Sequence, residues 1–561
     1  YQAYKRYSAV ARGLEAADVV LKGAYILDVF TERWVQADLA LCDQIIVGIG
    51  SYEGKQEIDC QGRYIVPGFV DSHLHLESTL VNPRELIYAA SQSGTTTFIV
   101  DPHEAGNVAG LAGVQYILDA TEKAQANVYV MAPSCVPALQ GEKNGALLDA
   151  DELAKLLENP RVLGLGEVMD CQAVLEGQPD MMKKLSLFQG RVMDGHIIGL
   201  SPQEVTAYAL SGIKTNHEAM TYEEAAHQVA NGMYVLIRDG SAVHNVEAIV
   251  SGLVAHKAPL DRYAFCSDDK HIEDIKQEGH ISANVRQAIE LGLSPIQAFK
   301  MASTHACQCF GLSHLGALAP GYQADFLILD DIEQVSIEAV YVKGRALHNE
   351  VLEIEEEDRQ WVPQELLHTV NMAPVALQDL ALPVLGLMPV INLVPGQITT
   401  IKSLESVPTH DGYFQAEEGF NKIACIERHE ATGHCGIGIV KGFGLQAGAI
   451  ATTFAHDSHN VVVIGDNDQD MLCAIERLKV LGGGYVIASQ GVIKDELPLE
   501  IMGLMTHCHH AVVDAKVKDM KALAYDMGVP RELDPFINLS FLALPVIPEI
   551  RISPLGVVDV N

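Results

Sequence analysis

A His-x-His pair closes the apolar run IVPGFVDSHLHLEST, residues 65–79. Packing gives a greasy strand no reason to end on two imidazoles, because each loses apolar contact and needs a polar partner when buried. Residues i and i+2 of a strand share a face, so His73 and His75 can turn two nitrogens toward one cation. Alone, the pair is a weak signal. GLGEVMD adds Glu167, MDGHI adds His196, TNHE adds His217, and FCSDDK adds Asp268 and Asp269. Any one of these alone reads better as a cap or as a barrel histidine with its hydrogen bonds satisfied. All of them at strand ends make a metal site the better reading. Imidazole with carboxylate and no Cys suits Zn, Fe or Mn rather than a structural thiolate zinc site.

Those residues need a scaffold that brings distant strand ends together. Between about 65 and 310, short apolar strands alternate with helical segments. YIVPGFVD, TTTFIVD, NVYVMAP, RVLGLGE, GRVMDGH, GIKTNH, MYVLIRD and RYAFCSD read as strands, each ending in a polar residue. PRELIYAASQSG, DADELAKLLENP, SPQEVTAYALSG and TYEEAAHQVANG read as helices with capping residues and terminal Gly or Pro. The pattern predicts an α/β fold, a (β/α)8 barrel over 65–311 whose chemistry lies at the C-terminal ends of its strands. Residues 1–64 and 312–350 share a texture of short alternating strands, and together predict one small β-sandwich domain built from both flanks. The acidic run NEVLEIEEEDRQ at 349–360 is expected to be exposed, and 361–561 mixes strands and helices as a separate α+β domain.

The 561 residues, 48% hydrophobic, are too many for one compact core. With 38 basic and 73 acidic side chains the formal net charge is −35, which argues against nucleic acid and anionic membrane as partners. An acidic surface also serves solubility alone. Eleven Cys without regular spacing, an opening stretch YQAYKRYSAV without an apolar signal core, and no run near the roughly 20 residues that span a bilayer lead to the expectation of a cytoplasmic, reducing setting.

PGFVDSHLHLEST resembles the first-strand motif of the amidohydrolase superfamily. DSHLHLEST, DPHEAGNVAG, MAPSCVPA, GLGEVMD, DGH, TNHEAMT, RDGSA, FCSDDK and the later TFAHDSHNVVVIG are similar, in order, to the blocks of the bacterial adenine deaminase family. ALQGEKNGALL, after Pro137, departs from that family's wording. The resemblance implies two divalent metal ions per chain, Mn or Fe ahead of Zn. It assigns His73 and His75 to one ion with Asp268, His196 and His217 to the other, and Glu167 as the bridge. Many superfamily members use a carboxylated lysine where Glu167 stands; a glutamate supplies that carboxylate directly.

The implied reaction is purine salvage chemistry: a metal-bridged hydroxide attacks C6 of adenine and yields hypoxanthine and ammonia. Asp268 is the expected proton shuttle, with Asp269 its rival, because strand alternation sends neighbouring carboxylates to opposite sides. Attack at C6 places charge on N1, for which Glu104 and His103 of DPHEAG are the expected donors, with Glu218 behind them. Glu218, Arg238 and Ser241 are expected to line the substrate pocket, although Arg238 reads equally as part of a rim ion pair; Ser134 and Cys135 are weaker candidates. His456, Asp457 and His459 would cover the barrel mouth or reach a neighbour's site, whereas HCHH at 507–510 reads as a helical surface. A homo-oligomer, dimer or higher, is expected. Two alternatives compete: a cyclic amide hydrolase of the same superfamily, hydantoinase- or dihydroorotase-like, and a catalytically dead scaffold. The filled ligand positions weigh against the scaffold.

Overall fold

The computed structural model describes residues 2–347, 361–417 and 419–560; the acidic run at 349–360 lies outside the described residues. Parallel strands form where the sequence places them: β1 (Phe69–Leu74), β2 (Thr95–Val100), β3 (Asn127–Ala132), β4 (Val162–Val168), β5 (Val192–Gly195), β6 (Thr215–Asn216), β7 (Tyr234–Arg238) and β8 (Tyr263–Cys266). β1 to β5 make one curled parallel sheet, and β6 to β8 make a second. The sheets approach at both edges. The Lys214 amide donates to the Met193 carbonyl at 3.1 Å, and the Asp268 amide donates to the His73 carbonyl at 3.0 Å. Every residue of β1 and β2 is buried, as expected for parallel strands covered on both faces. Val70, Ile99, Met131, Leu236 and Ala264, drawn from both sheets, pack in one cluster with Phe310 and Leu315.

The caps legible in the sequence fix the helix starts. Asn82 accepts from the Arg84 and Glu85 amides ahead of the helix Pro83–Ser91. Asp149 caps Ala150–Leu156, and Thr221 caps Tyr222–Ala230. Ser201 and Glu204 form a reciprocal capping box at Pro202–Leu210.

Strands from both flanks pair in one sheet, with Leu327 opposite Val66 and Ile328 opposite Ile65 in antiparallel register. Toward the C-terminus, an eight-stranded mixed sheet includes Phe420–Ile426, Val461–Gly465 and Gly484–Ser489. The helices Asp468–Leu481 and His510–Asp526 accompany it. All eleven cysteines are free thiols. Among the described residues no helix is long and apolar enough to cross a membrane.

Buried polar contacts fasten this last region to the first. His510 Nδ1 donates to Glu85 Oε2 at 2.6 Å, so the HCHH stretch turns one imidazole inward instead of lying wholly on a helical surface. Lys521 Nζ lies 2.7 Å from Glu273 Oε2 and 2.8 Å from Asp534 Oδ2, all three nearly covered. Burial opposes the charge of Asp534, but Lys521 outweighs it and holds the carboxyl down at about 2. Burial keeps Glu273 above its ordinary value despite the same lysine. Replacing Lys521 by Met strands this buried acid charge and is expected to cost about 3 to 5 kcal/mol, read as a lower urea midpoint at pH 7. Asp534 is depressed in the folded state, so its share is present above the ordinary carboxylate pKa of about 3.9 and lost as pH falls toward 2. The gap between Lys521→Met and parent should therefore narrow below about pH 4.

Candidate metal centre and active site

β1 carries His73 and ends just before His75, and the two Nε2 atoms face each other at 3.1 Å. The outer nitrogens are tied. His75 Nδ1 lies 3.0 Å from the Asp101 carbonyl, and a carbonyl only accepts, so this nitrogen carries the proton and Nε2 presents a lone pair. His73 Nδ1 sits 2.8 Å from Asp194 Oδ2, which orients the second ring the same way. Glu167 Oε1 lies 3.1 Å and Asp268 Oδ1 3.2 Å from His75 Nε2. Two inward imidazoles and two carboxylate oxygens around one point fit a divalent cation, and would repel without positive charge between them. Burial disfavours an imidazolium at His73, yet Asp194 and Asp268 outweigh it and push that group up to about 10. The acids thus demand positive charge whether a proton or a metal brings it.

Glu167 comes late in β4, after Gly166, where a Cβ would collide with the Asp101 carboxylate. Asp101 Oδ2 accepts the Glu167 amide at 2.8 Å, which holds the glutamate at the strand end. Its second oxygen, Oε2, is 2.5 Å from His196 Nδ1 and 3.4 Å from His217 Nε2. Glu218 Oε1 is 3.6 Å from the first of these nitrogens and 3.5 Å from the second. One carboxylate therefore spans two imidazole pairs. Burial opposes its charge, but His196 and its neighbours hold it well below the ordinary carboxylate value. The sets His73–His75–Glu167, Glu167–His196–His217 and His73–His217–Asp268 each bring potential ligand atoms within 4.8 Å of one another.

Beyond β8 the chain breaks the expected alternation. Asp268 has φ 57°, the left-handed region uncommon for a residue with a Cβ. Its amide bonds the His73 carbonyl, and its carbonyl accepts from His75 at 3.3 Å. That turn lets Asp268 and Asp269 line the same cavity rather than opposite faces. Arg238, at the end of β7, grips Glu218 with both Nη atoms at 2.5 and 2.6 Å and reaches Asp268 Oδ2 at 2.7 Å. It is an ion pair and a cavity wall at once. Burial raises Asp269, whereas Arg238 overcomes burial at Asp268 and holds it well below its ordinary range. Ser78 Oγ donates to Asp269 Oδ1.

The helix His103–Thr121 starts directly after β2 and delivers His103 and Glu104. His103 Nδ1 is 3.4 Å from Glu167 Oε1. Glu104 Oε1 accepts from His456 Nδ1 at 2.6 Å, and Oε2 pairs with His459 Nε2. His456 and Asp457 therefore meet the cavity of their own chain. Ser241 does not reach it: its hydroxyl donates to Asp274 and accepts the His271 amide at 2.9 Å, because the chain has already turned outward. Ser134 supports the Glu167 carbonyl from its hydroxyl at 2.5 Å. Asp194 and Asp101, which hold His73, His75 and Glu167 in the cluster, were not singled out in the sequence, although Asp194 stands in MDGH and Asp101 in DPHE. Ile398, Phe541, Leu544 and Ile547, which roof the cavity from the C-terminal region, carry no sequence signal at all. The space among the acids is about 20 Å³, and beside it lies a cavity of about 390 Å³ sharing Glu218, Arg238, Ile398 and Ile547.

Residues 64–347 match the pattern described as the amidohydrolase family, and 397–561 match the adenine deaminase C-terminal domain. The adenine deaminase of Desulfitobacterium hafniense (strain Y51) is 47% identical over 556 residues, covering 99% of this chain and 97% of that protein. The chain belongs to the adenine deaminase family. The adenine deaminase of Geobacillus kaustophilus (strain HTA426) is 42% identical over 561 residues, covering 99% of this chain and 97% of that one. A crystal structure of an adenine deaminase shows 14% identity and a TM-score of 0.46, over 59% of this chain and all of that one. The parallel strands, from Phe69 to Cys266, fall within the amidohydrolase match, and their curled sheet fits a metal-dependent hydrolase fold.

If Asp194 orients His73, Asp194→Asn should weaken metal retention about 10- to 100-fold. Titration with a chelator, followed by elemental analysis, reads the change; unaltered retention would show that His73 needs no such anchor.

Proposed function

We propose that the chain hydrolyses adenine to hypoxanthine and ammonia at this acid-imidazole cluster. The observation that carries the reading is near-full-length identity of 47% with an adenine deaminase, in a chain whose Glu167 turns one oxygen to each of two imidazole pairs. The eight parallel strands read as a closed (β/α)8 barrel, supported by the hydrogen bonds that join the two sheets at both edges. The flanking strands read as one β-sandwich domain, and 361–561 as an α+β domain capping the barrel mouth.

In this reading His73, His75 and Asp268 would hold one divalent cation and His196 and His217 a second, with Glu167 placed to serve both. Imidazole and carboxylate suit Mn, Fe or Zn. Bound there, such cations would bring a water's pKa toward about 7, so that hydroxide is available at neutral pH. Asp268, ionised and aimed by Arg238, takes the water's proton and delivers it to the amine that leaves C6. Glu218 and Arg238 stand between the acid cluster and the larger cavity, the wall against which a flat purine edge would lie. Glu104 and His103 line the small space among the acids. A cyclic amide hydrolase would use the same cations, but no feature of the site favours it.

Ammonia release from a panel of nucleobases by Mn-loaded and Fe-loaded protein tests the assignment: adenine alone should serve, and turnover confined to hydantoins or dihydropyrimidines would refute it. Glu167→Gln should lose tight binding of the second ion, and full metal content in that variant would remove the bridge. Asp268→Asn should keep at least one metal while turnover falls about 10²- to 10⁴-fold. If Asp269→Asn gives that loss and Asp268→Asn does not, the shuttle is the neighbouring acid.

A further inference from the structure

Addition at C6 of a purine drives an electron pair onto N1, and that nitrogen needs a proton. The donor must face the cavity, carry a proton, and be free to release it. Glu104 meets the first condition only. Both of its oxygens are engaged by imidazoles, His456 Nδ1 at 2.6 Å and His459 Nε2. Burial favours its neutral form, but His456 and His459 hold it well below the ordinary carboxylate value. His103 also lines the cavity, but it sits against the metal-facing cluster, with Nδ1 3.4 Å from Glu167 Oε1 and its ring centroid 4.4 Å from that of His75.

His456 meets all three conditions. It lies in the C-terminal region that roofs the cavity, in the loop between the strands Ala449–Thr452 and Val461–Gly465. Its Nδ1 is held by Glu104, so the other nitrogen, Nε2, turns toward the cavity, 3.6 Å from Asp269 Oδ2. Its ring stacks on Phe541 with centroids 4.6 Å apart and 18° between planes, which fixes the direction of Nε2. An acid behind one ring nitrogen and a reacting atom before the other is the arrangement by which a carboxylate orients a catalytic imidazole.

We propose that His456 Nε2–H, oriented by Glu104, donates the proton that N1 of adenine takes up as C6 is attacked. The proposal rests on the adenine deaminase reading above and adds to it a catalytic group from the C-terminal domain. The proton count closes. As the C6–O bond forms, the C6–N1 π pair moves to N1 and takes the proton from His456. The proton that Asp268 removed from water passes to the exocyclic nitrogen, the C6–N bond breaks with its pair, and ammonia leaves. The hydroxyl proton released as the C6 carbonyl forms returns to His456. Glu104, Asp269, Asp457, His459 and the more distant His271 face this imidazole. Burial disfavours its cation, but Glu104 and Asp269 outweigh burial and push it up to about 9, so the proton is present at neutral pH.

The test uses the full-length, metal-loaded protein. His456→Gln keeps an N–H for Glu104 but has no proton to give. With metal content equal to the parent's, its kcat for adenine should fall about 10²- to 10⁴-fold, with KM changed by less than about tenfold. The parent's kcat should decline as pH rises through the pKa of His456, and the variant should lack that alkaline limb. In His456→Ala, added imidazole should restore part of the lost turnover. A metal-replete His456→Gln with parental kcat and the same alkaline limb overturns the role and leaves the activity standing. A loss confined to KM also overturns it. A metal-loaded parent that releases no ammonia from adenine overturns the activity assignment and this role with it. If the Ala variant does not fold, the kcat and pH profile of the Gln variant decide.

Discussion

The constraint on which this structure depends is the burial of acid charge. Glu167, Asp194, Asp268 and Glu218 are all nearly inaccessible to water, the first three around His73 and Glu218 beside His196 and Arg238. Carboxylates in such a place are tolerated only with compensating positive charge and hydrogen bonds. The chain supplies part of that from Arg238 and a ring of imidazoles. The lone pairs of His73 and His75, turned inward by their outer hydrogen bonds, leave the remainder to a cation. The hydrogen-bonding shell exists to keep this arrangement from collapsing. Asp101 holds both the Glu167 amide and, through its carbonyl, His75, so one residue steadies two side chains of the cluster.

Much of this was legible in the sequence because it depends on local rules. A strand has period two, so His73 and His75 had to share a face. The strand pattern put Glu167, His196, His217 and Asp268 at or just past the C-terminal ends of parallel strands, and they stand there. Caps such as Ser201 with Glu204 mark helix starts within four residues of chain. What sequence spacing does not carry is contact between distant segments. Glu104 and His456 are 352 positions apart and hydrogen-bonded. Asp194 meets His73 across the sheet for the same reason. Strand alternation misled at Asp268 and Asp269 because it assumes extended backbone, and Asp268 is left-handed. Ser241 was placed at the pocket by its nearness to β7, but the chain turns before it and gives its hydroxyl to Asp274.

The C-terminal region is part of the site. It closes the cavity with Phe541, Leu544 and Ile547, and it satisfies Glu104 with two imidazoles. Without them Glu104 would be a bare buried acid beside the metal-facing cluster. Lys521 and His510 pin the same region to the helices Ile272–Glu278 and Pro83–Ser91 at separate points, so the roof is held in register by contacts remote from the cavity.

The backbone at Asp268 carries a consequence for how this position tolerates change. Left-handed geometry is reached readily by glycine and, among residues with a Cβ, most easily by asparagine and aspartate; β-branched side chains resist it. Any replacement that prefers an extended chain would swing Asp269 out of the cavity along with its own side chain. One dihedral angle therefore governs the presentation of two neighbouring acids, and the site's tolerance for variation here is set by conformation before charge is considered.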